Sequence, residues 1–383
     1  MIDIKRAKDC CGCSACVEAC PKQCISFDED CEGFRYPKVD LDRCIHCNLC
    51  EKVCPVINLP AKKEITKVSA AINKDENVRL NSSSGGIFSI IAENVLQNGG
   101  VVFGAIFDEN WEVRHSYIEN IEDLSKMRSS KYLQSRMESS YKDAQRFLKE
   151  GREVLFTGTP CQIAGLQRFL RREYDNLIAV DVICHGVPSP KVWRMYLKQL
   201  IEEKKIGPSI NDIQKINFRS KDHGWTNYDI VIESPEGTIE DRHCDNAYFQ
   251  AFNMNVILRP ICYSCPFKGG KSGSDITIAD FWGISKVDPS MQDEKGTSMI
   301  IEYGHTNELL SRDLTLKTVE TEVVNKCNPS FYHTSQYNGN RVLLFGKLDS
   351  TDDLEALLIR CTNPTKLQRI FNVLYRKFHS DKL

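Results

Sequence analysis

The sequence predicts a two-part α+β / α/β molecule: a small cysteine-rich domain over residues 1–60, then a larger mixed-sheet α/β domain with a helical C-terminal cap. Three observations carry this. Eleven of the 18 cysteines precede residue 55. From Val68 onward, apolar β-type runs alternate with amphipathic helical stretches, the pattern of an α/β core. Residues 213–234 and 275–303 instead hold short β-type runs that read as antiparallel strands, which makes the sheet mixed.

A chain of 383 residues has room for two or three folding units. Its hydrophobic fraction of 41% and charged fraction of 27% are those of an ordinary globule. A net charge of −2 offers no basic field, so neither nucleic acid nor an anionic membrane is expected as a partner. The start, Met1-Ile-Asp-Ile-Lys-Arg, has no apolar signal core, and no stretch is long and apolar enough to span a bilayer. The expected location is the cytoplasm. Cysteines crowded at one end of a long chain without a secretion signal point to metal rather than disulfides.

Cys10, Cys13, Cys16 and Cys20, followed by Pro21, fit C-x2-C-x2-C-x3-C-P, and Cys44, Cys47, Cys50 and Cys54, followed by Pro55, fit it again. The x2 spacing turns three thiolates of one tight loop toward the same cubane. Resemblance to bacterial two-cluster ferredoxins implies one 4Fe-4S cluster on Cys10, Cys13, Cys16 and Cys54, and a second on Cys44, Cys47, Cys50 and Cys20. Zinc also uses C-x2-C pairs but has no use for the repeated x3-C-P step. Cys11, Cys24 and Cys31 fall outside the pattern and read as packing residues. The C-x3-C-x2-C spacing of radical S-adenosylmethionine enzymes is absent.

Residues 61–80 read as a polar connection followed by the first strand, near Val68–Ile72. Residues 81–310 then supply helix Ile87–Gln97, strand Val101–Phe107, helix Tyr141–Lys149, strand Val154–Phe156, helix Gln162–Arg171 and strand Leu177–Ile183. The antiparallel runs are Ile216–Phe218, Tyr228–Ile232, Ile276–Ile278 and Ser298–Tyr303. Residues 311–383 form the helical extension, with helices at Asp352–Leu358 and Lys366–Phe378, the latter placing Leu367, Ile370, Phe371 and Leu374 on one face.

Four segments of the large domain carry chemistry. Asn81-Ser-Ser-Ser-Gly-Gly86 precedes a helix, where free N–H groups and hydroxyls can hold phosphate or simply cap the helix. In Phe156-Thr-Gly-Thr-Pro-Cys161, Thr159 can cap a helix that Pro160 begins, and the helix dipole would favour a thiolate at Cys161. Ile183-Cys184-His185-Gly186 again runs from a strand toward a capped helix. Arg259-Pro-Ile-Cys262-Tyr-Ser-Cys265 adds a C-x2-C pair. Cys161, Cys184, Cys262 and Cys265 are four candidate thiolates for a third 4Fe-4S site; on spacing alone, zinc or plain burial stays open.

Further segments are Ser130-Lys-Tyr-Leu-Gln-Ser135, Phe218-Arg-Ser-Lys221 with Gly224-Trp225, Asp275-Ile-Thr-Ile-Ala-Asp-Phe-Trp-Gly283 and Lys295-Gly-Thr-Ser298. With the four above they run, in order, as in the beta subunit of coenzyme F420 hydrogenases and dehydrogenases and its stand-alone bacterial relatives, which the chain resembles. The resemblance implies an FAD-binding α/β domain with a 4Fe-4S cluster beside the flavin. It implies flavin contacts from Ser83, Ser84, Gly85, Gly86, Ser130, Lys131, Tyr132, Thr157, Gly158, Thr159, His185 and Gly186. Asp280 and Trp282 are candidates for the same pocket. No G-x-G-x-x-G is present, and the family binds FAD without one.

Clusters pass single electrons and flavin holds two, so the expected order is ferredoxin clusters, third cluster, FAD, then hydride to or from a small molecule or a deazaflavin. Ferredoxin or another low-potential carrier is the expected donor or acceptor. Lys131 is the candidate cation beside flavin or substrate, against the ordinary solvated lysine. His185 can protonate or orient substrate, or can be a structural hydrogen-bonding residue in its glycine turn. His223 and Trp225 are weaker candidates in a polar loop. The rival functions are a non-enzymatic electron relay between proteins and a cluster-bearing scaffold that has lost its flavin pocket. The fold does not fix the substrate.

Overall fold

The computed structural model describes residues 1–203, 205–304 and 313–363. The predicted helix Lys366–Phe378 lies outside them. Thirteen strands are described: β1 (Ile25–Glu29), β2 (Arg35–Val39), β3 (Lys67–Asn73), β4 (Val101–Phe107), β5 (Val113–Ile118), β6 (Val154–Gly158), β7 (Leu177–Val182), β8 (Lys215–Ser220), β9 (Asp229–Ser234), β10 (Gly237–Arg242), β11 (Ile276–Asp280), β12 (Ser298–Glu302) and β13 (Leu314–Val319).

Eight strands form the main sheet, in the order β13-β3-β12-β11-β7-β6-β4-β5. The central β11, β7, β6 and β4 run parallel, while β12, β3, β13 and β5 pair antiparallel at the flanks. The sheet is mixed, as the sequence predicts. Period-2 alternation explains why both faces are covered. Val101, Phe103, Val154, Phe156 and Ala179 point into one apolar layer with helices Ser140–Lys149 and Pro160–Leu170. Val102, Leu155, Ile178 and Val180 point into the other with helix Ile87–Gln97. Strands β8, β9 and β10 form a separate three-stranded antiparallel sheet.

The N-terminal region consists of the β1–β2 hairpin and short helices at Ala15–Ala19 and Leu49–Lys52. It shares a core with the large domain: Cys11, Cys13, Ala15 and Val53 lie in the same apolar cluster as Phe156 and Ile163. Buried Glu18 accepts from Tyr141 N at 3.1 Å and Lys142 N at 3.0 Å, closing the first turn of helix Ser140–Lys149. The extension expected from residue 311 as mainly helical begins instead with β13, the edge strand on β3. Its mostly exposed Leu-Thr-Leu-Lys-Thr-Val pattern hides a strand that buries little. Helix Leu354–Thr362 follows, with Asp353 accepting from Ala356 N at 2.9 Å, and packs Leu357 and Leu358 into the main core. Among the described residues, no helix is long and apolar enough to cross a membrane.

Candidate functional site

The two cysteine runs fold into tight loops whose turns need left-handed residues: Gly12 at φ 72°, Ser14 at 65°, His46 at 52° and Asn48 at 56°. These turns aim thiols inward. Cys10, Cys13, Cys16 and Cys54 lie close enough to interact electrostatically, and Cys50 of the second run is also near Cys16 and Cys54. Cys20, Cys44, Cys47 and Cys50 line one small cavity. Backbone N–H groups already point at sulfur, Gly12 N at 3.4 Å from Cys10 Sγ and Ile2 N at 3.2 Å from Cys50 Sγ. Two groups of four soft donors with N–H support suit 4Fe-4S clusters. Of the three cysteines read as packing residues, Cys11 and Cys24 are buried, whereas Cys31 is exposed at the hairpin turn. Cys24 also faces the second cavity, its Sγ 3.4 Å from that of Cys20.

The parallel strands β6, β7 and β11 end on the same edge of the sheet, where open α/β sheets bind ligands. Beyond β6, Pro160 opens its helix, and Gln162 Oε1 accepts from Thr159 N at 2.8 Å and Thr159 Oγ1 at 3.0 Å. Cys161 follows in the first turn. Cys184 leaves β7, and Cys262 and Cys265 come from the short helical turn at Pro260–Ser264. Although 104 residues separate Cys161 from Cys265, the four thiols converge, Cys262 facing Cys184, Cys265 and Cys161. Burial pushes Cys184 up to about 12 and Cys265 up to about 11. Cys161 is displaced upward too, against the helix-dipole expectation. Its hydrogen bond with Cys11 and its burial outweigh the dipole. A metal centre here must therefore displace protons.

Next to these thiols lies a cavity of about 470 Å³, within the size range of cofactor sites. Ser83, Ser84, Gly86, Ser130, Lys131, Tyr132, Thr157, Gly158, Thr159, His185, Gly186, Asp280 and Trp282 line it, together with Cys184. Gly85 stands behind the wall, its N–H donating to Ser298 Oγ at 2.9 Å. A Cβ on Gly85 would lie 2.5 Å from Ala71 O, so the turn needs glycine for space. Ser83 joins two predicted segments, donating to Ser130 Oγ at 2.9 Å and accepting from Ser130 N at 2.7 Å. Three buried polar atoms of lining residues, Ser129 Oγ, His185 Nε2 and Arg219 Nε, have no hydrogen-bond partner within the protein. All three suit a polar ligand.

Lys131 donates to Arg128 O at 3.1 Å, lies 5.7 Å from the Phe107 ring centre, and is pushed down to about 8 by burial. Burial also lowers His185. His223 is outside the lining; it is exposed and pairs with Asp229 at 2.7 Å. Trp225 stacks on Trp282 with centroids 5.2 Å apart.

Sequence reasoning singled out neither Arg219 nor His115 for a role here. Arg219, 2% exposed, donates to both oxygens of Asp280 at 3.1 Å, to Tyr132 OH at 3.1 Å and to Ser83 O at 3.0 Å. The only hint was an arginine beside apolar Phe218. His115, pushed down to about 4 by burial, stays neutral. Thr157 O, 3.0 Å from Nε2, can only accept, so Nδ1 accepts from Ser135 Oγ at 2.8 Å. Ser135 accepts from Gln162 Nε2 at 2.7 Å, linking the cavity wall to the Cys161 helix.

The same helix fixes the ferredoxin loop. Gly165, one turn after Cys161, would as alanine place a Cβ 2.6 Å from Tyr141 OH and 3.0 Å from Cys13 Cβ. Gly165→Ala is expected to cost about 1–3 kcal/mol by overpacking. It should also make the Cys10–Cys16 loop cleave faster in limited proteolysis, and unchanged cleavage with unchanged stability would contradict the contact.

Comparison with known proteins gives two family matches. Residues 151–324 match the C terminus of the coenzyme F420 hydrogenase/dehydrogenase beta subunit, and residues 9–58 match the 4Fe-4S dicluster domain. The chain is 30% identical to the coenzyme F420-dependent sulfite reductase of Methanocaldococcus jannaschii over 185 residues, which is 47% of this chain and 28% of that one. It is 26% identical to a subunit of the F(420)H(2) dehydrogenase of Methanosarcina mazei over 223 residues, 55% of this chain and 59% of that one. A chain of the F420-reducing NiFe hydrogenase complex of Methanosarcina barkeri aligns at 18% identity and a TM-score of 0.45, covering 67% of this chain and 83% of that chain. The chain spans less than two thirds of the length of both curated relatives.

Proposed function

From a chain that carries the C-terminal domain of coenzyme F420 hydrogenase/dehydrogenase beta subunits behind a 4Fe-4S dicluster domain, and is thus an iron–sulfur redox protein, we propose a flavin-dependent oxidoreductase. It takes electrons from, or returns them to, a ferredoxin-like carrier at the N-terminal domain. Its FAD site is the cavity at the edge of β6, β7 and β11, and its third 4Fe-4S site is Cys161, Cys184, Cys262 and Cys265. The observation that supports this most is contiguity: the helix bearing Cys161 rests on Cys13, and Cys184 lines the cavity beside His185.

When bound, the clusters would supply single-electron steps and FAD the conversion of two electrons into a hydride. The residues do the rest. The Ser82–Gly86 turn offers backbone N–H groups to phosphate, its three serine hydroxyls being engaged within the protein, and buried Lys221 holds it in place by donating to Ser84 O at 2.9 Å and Arg79 O at 2.6 Å. Lys131 brings a positive charge to the cavity. His185, whose Nε2 is free, hydrogen-bonds substrate or flavin. The hydride partner is a small molecule or a deazaflavin of the coenzyme F420 type.

Iron and flavin analysis of the purified protein tests the proposal, with about twelve irons and one FAD per chain expected. Eight irons without flavin would overturn it. Anaerobic reduction followed by addition of candidate acceptors separates enzyme from relay, because reoxidation of the flavin band by a small molecule occurs only in the enzyme.

Lys131 gives a pH-dependent prediction. Its ammonium is charged below about pH 8 and neutral above, so a cation that favours reduced, anionic flavin is present at low pH and lost as pH rises. In spectroelectrochemistry, Lys131→Met is expected to weaken flavin reduction about tenfold at pH 6.5, roughly 30 mV for a two-electron couple. The difference from wild type should vanish near pH 9.5. A pH-independent difference would remove Lys131 from this role.

A further inference from the structure

The two parts of the molecule meet around Arg259, a side chain with no role so far. It is fully buried, and among the described residues no carboxylate pairs with it. Its nitrogens donate instead to Cys10 O at 2.8 Å, Gln134 Oε1 at 2.9 Å and Arg35 O at 2.9 Å. The guanidinium lies 4.4 Å from the centre of the Tyr36 ring. Gly12, inside the first cysteine run, leaves room for it: a Cβ there would stand 2.9 Å from Nη1. A cation taken fully out of water without an anion is strongly disfavoured. The ionisable groups around it are Cys10, Tyr36 and Cys11 on the ferredoxin side and Cys262 on the large-domain side, and of these Cys10 and Cys262 would carry negative charge as ligands of a bound cluster.

We propose that Arg259 is the shared counter-charge of two cluster sites, that of Cys10, Cys13, Cys16 and Cys54 and that of Cys161, Cys184, Cys262 and Cys265. On this view it raises the reduction potential of both and holds them in register for electron exchange. The inference rests on reading the large-domain cysteines as a cluster site. Each exchange moves one electron between the two sites, oxidising one and reducing the other, with no proton transferred and no bond broken. The guanidinium stabilises the added electron on whichever site holds it, since a thiolate-ligated cluster grows more negative on reduction. Its hydrogen bond to Cys10 O and the three-residue step to Cys262 tie both ligand loops to one rigid group.

Redox titration of the full-length protein, followed by electron paramagnetic resonance, tests this. Arg259→Gln is expected to lower the reduction equilibrium constant of both sites about tenfold, about 59 mV for a one-electron couple. The site of Cys20, Cys44, Cys47 and Cys50 should be unmoved and serves as internal reference. Arg259→Lys keeps the charge and should retain most of both potentials. Gln134→Glu keeps Arg259 but neutralises it with a carboxylate, and should shift both sites downward as well; unchanged potentials in this variant overturn the proposal by themselves if Arg259→Gln does not fold. Lys268→Met should move only the large-domain site, because Lys268 faces Cys184 and Cys265. Unchanged potentials in Arg259→Gln and Gln134→Glu, or an equal shift of all sites, overturns the proposal. About eight irons in the wild type would refute the third cluster separately, and the Cys10 site would still report on Arg259.

Discussion

If the proposed third cluster and FAD are present, Cys262→Ser is expected to remove about four of twelve irons and to abolish electron flow between the ferredoxin domain and the proposed flavin, leaving both ends intact. Cys262 is buried near Cys161, Cys184 and Cys265, so a hard hydroxyl there would deprive the proposed cluster site of one of four soft ligands. The eight N-terminal cysteines are untouched, and FAD should be retained because the Ser82–Gly86 turn and Lys221 do not depend on the thiols. The measurements are iron and flavin content, then flavin reduction by an electron donor that reacts at the ferredoxin domain. Cys11→Ser is the control. Cys11 lies beside Cys161 and raises its thiol's pKa, but it is not among the proposed ligands. It should keep all irons, and a loss of four from Cys11→Ser but not from Cys262→Ser would reassign the ligand set.

Asp280→Asn is expected to destabilise the protein by about 3–5 kcal/mol and to empty the proposed flavin site. Asp280 accepts both Nη groups of Arg219 at 3.1 Å and Trp225 Nε1 at 3.0 Å. An asparagine keeps one acceptor, turns an NH2 toward a guanidinium, and leaves a buried charge unpaired. Arg219 also donates to Ser83 O and Tyr132 OH, so losing its anchor frees two walls of the cavity at once. Thermal unfolding should show a fall of several degrees, and the purified protein should carry little FAD. Wild-type stability with full FAD would show that the pair neither supports the fold nor shapes the site.

The legible parts of the fold are those whose signal is local. Strand Val101–Phe107 and helix Ile87–Gln97 match the sequence expectation residue for residue, because each carries an unbroken run of its own period. β5 was missed because Val113, His115 and Ile118 are buried among arginine, serine and tyrosine, so the alternation includes a polar residue on its inward face. β13 was missed because an edge strand needs no apolar pattern. The cavity lining was legible because it sits where strands end in Gly, Ser and Thr turns, which are short and chemically marked.

Tertiary structure decided the rest. The two ferredoxin runs are legible in the sequence alone, since each triple lies within one short loop of fixed spacing, whereas the sharing of Cys20 and Cys54 between the clusters is what the ferredoxin resemblance implies. The large-domain cysteines share no such spacing: the parallel order of β6 and β7 brings Cys161 and Cys184 to one edge, and the Cys262–Cys265 turn joins them because Leu258 bridges Pro188 and Arg259 N donates to Val187 O at 2.9 Å. Charge is less legible still. Arg219 reaches Asp280 across 61 residues and Arg259 reaches Cys10 across 249. Nothing local separates a buried arginine from a solvated one, because the cost of burying its charge is offset only by partners that folding delivers.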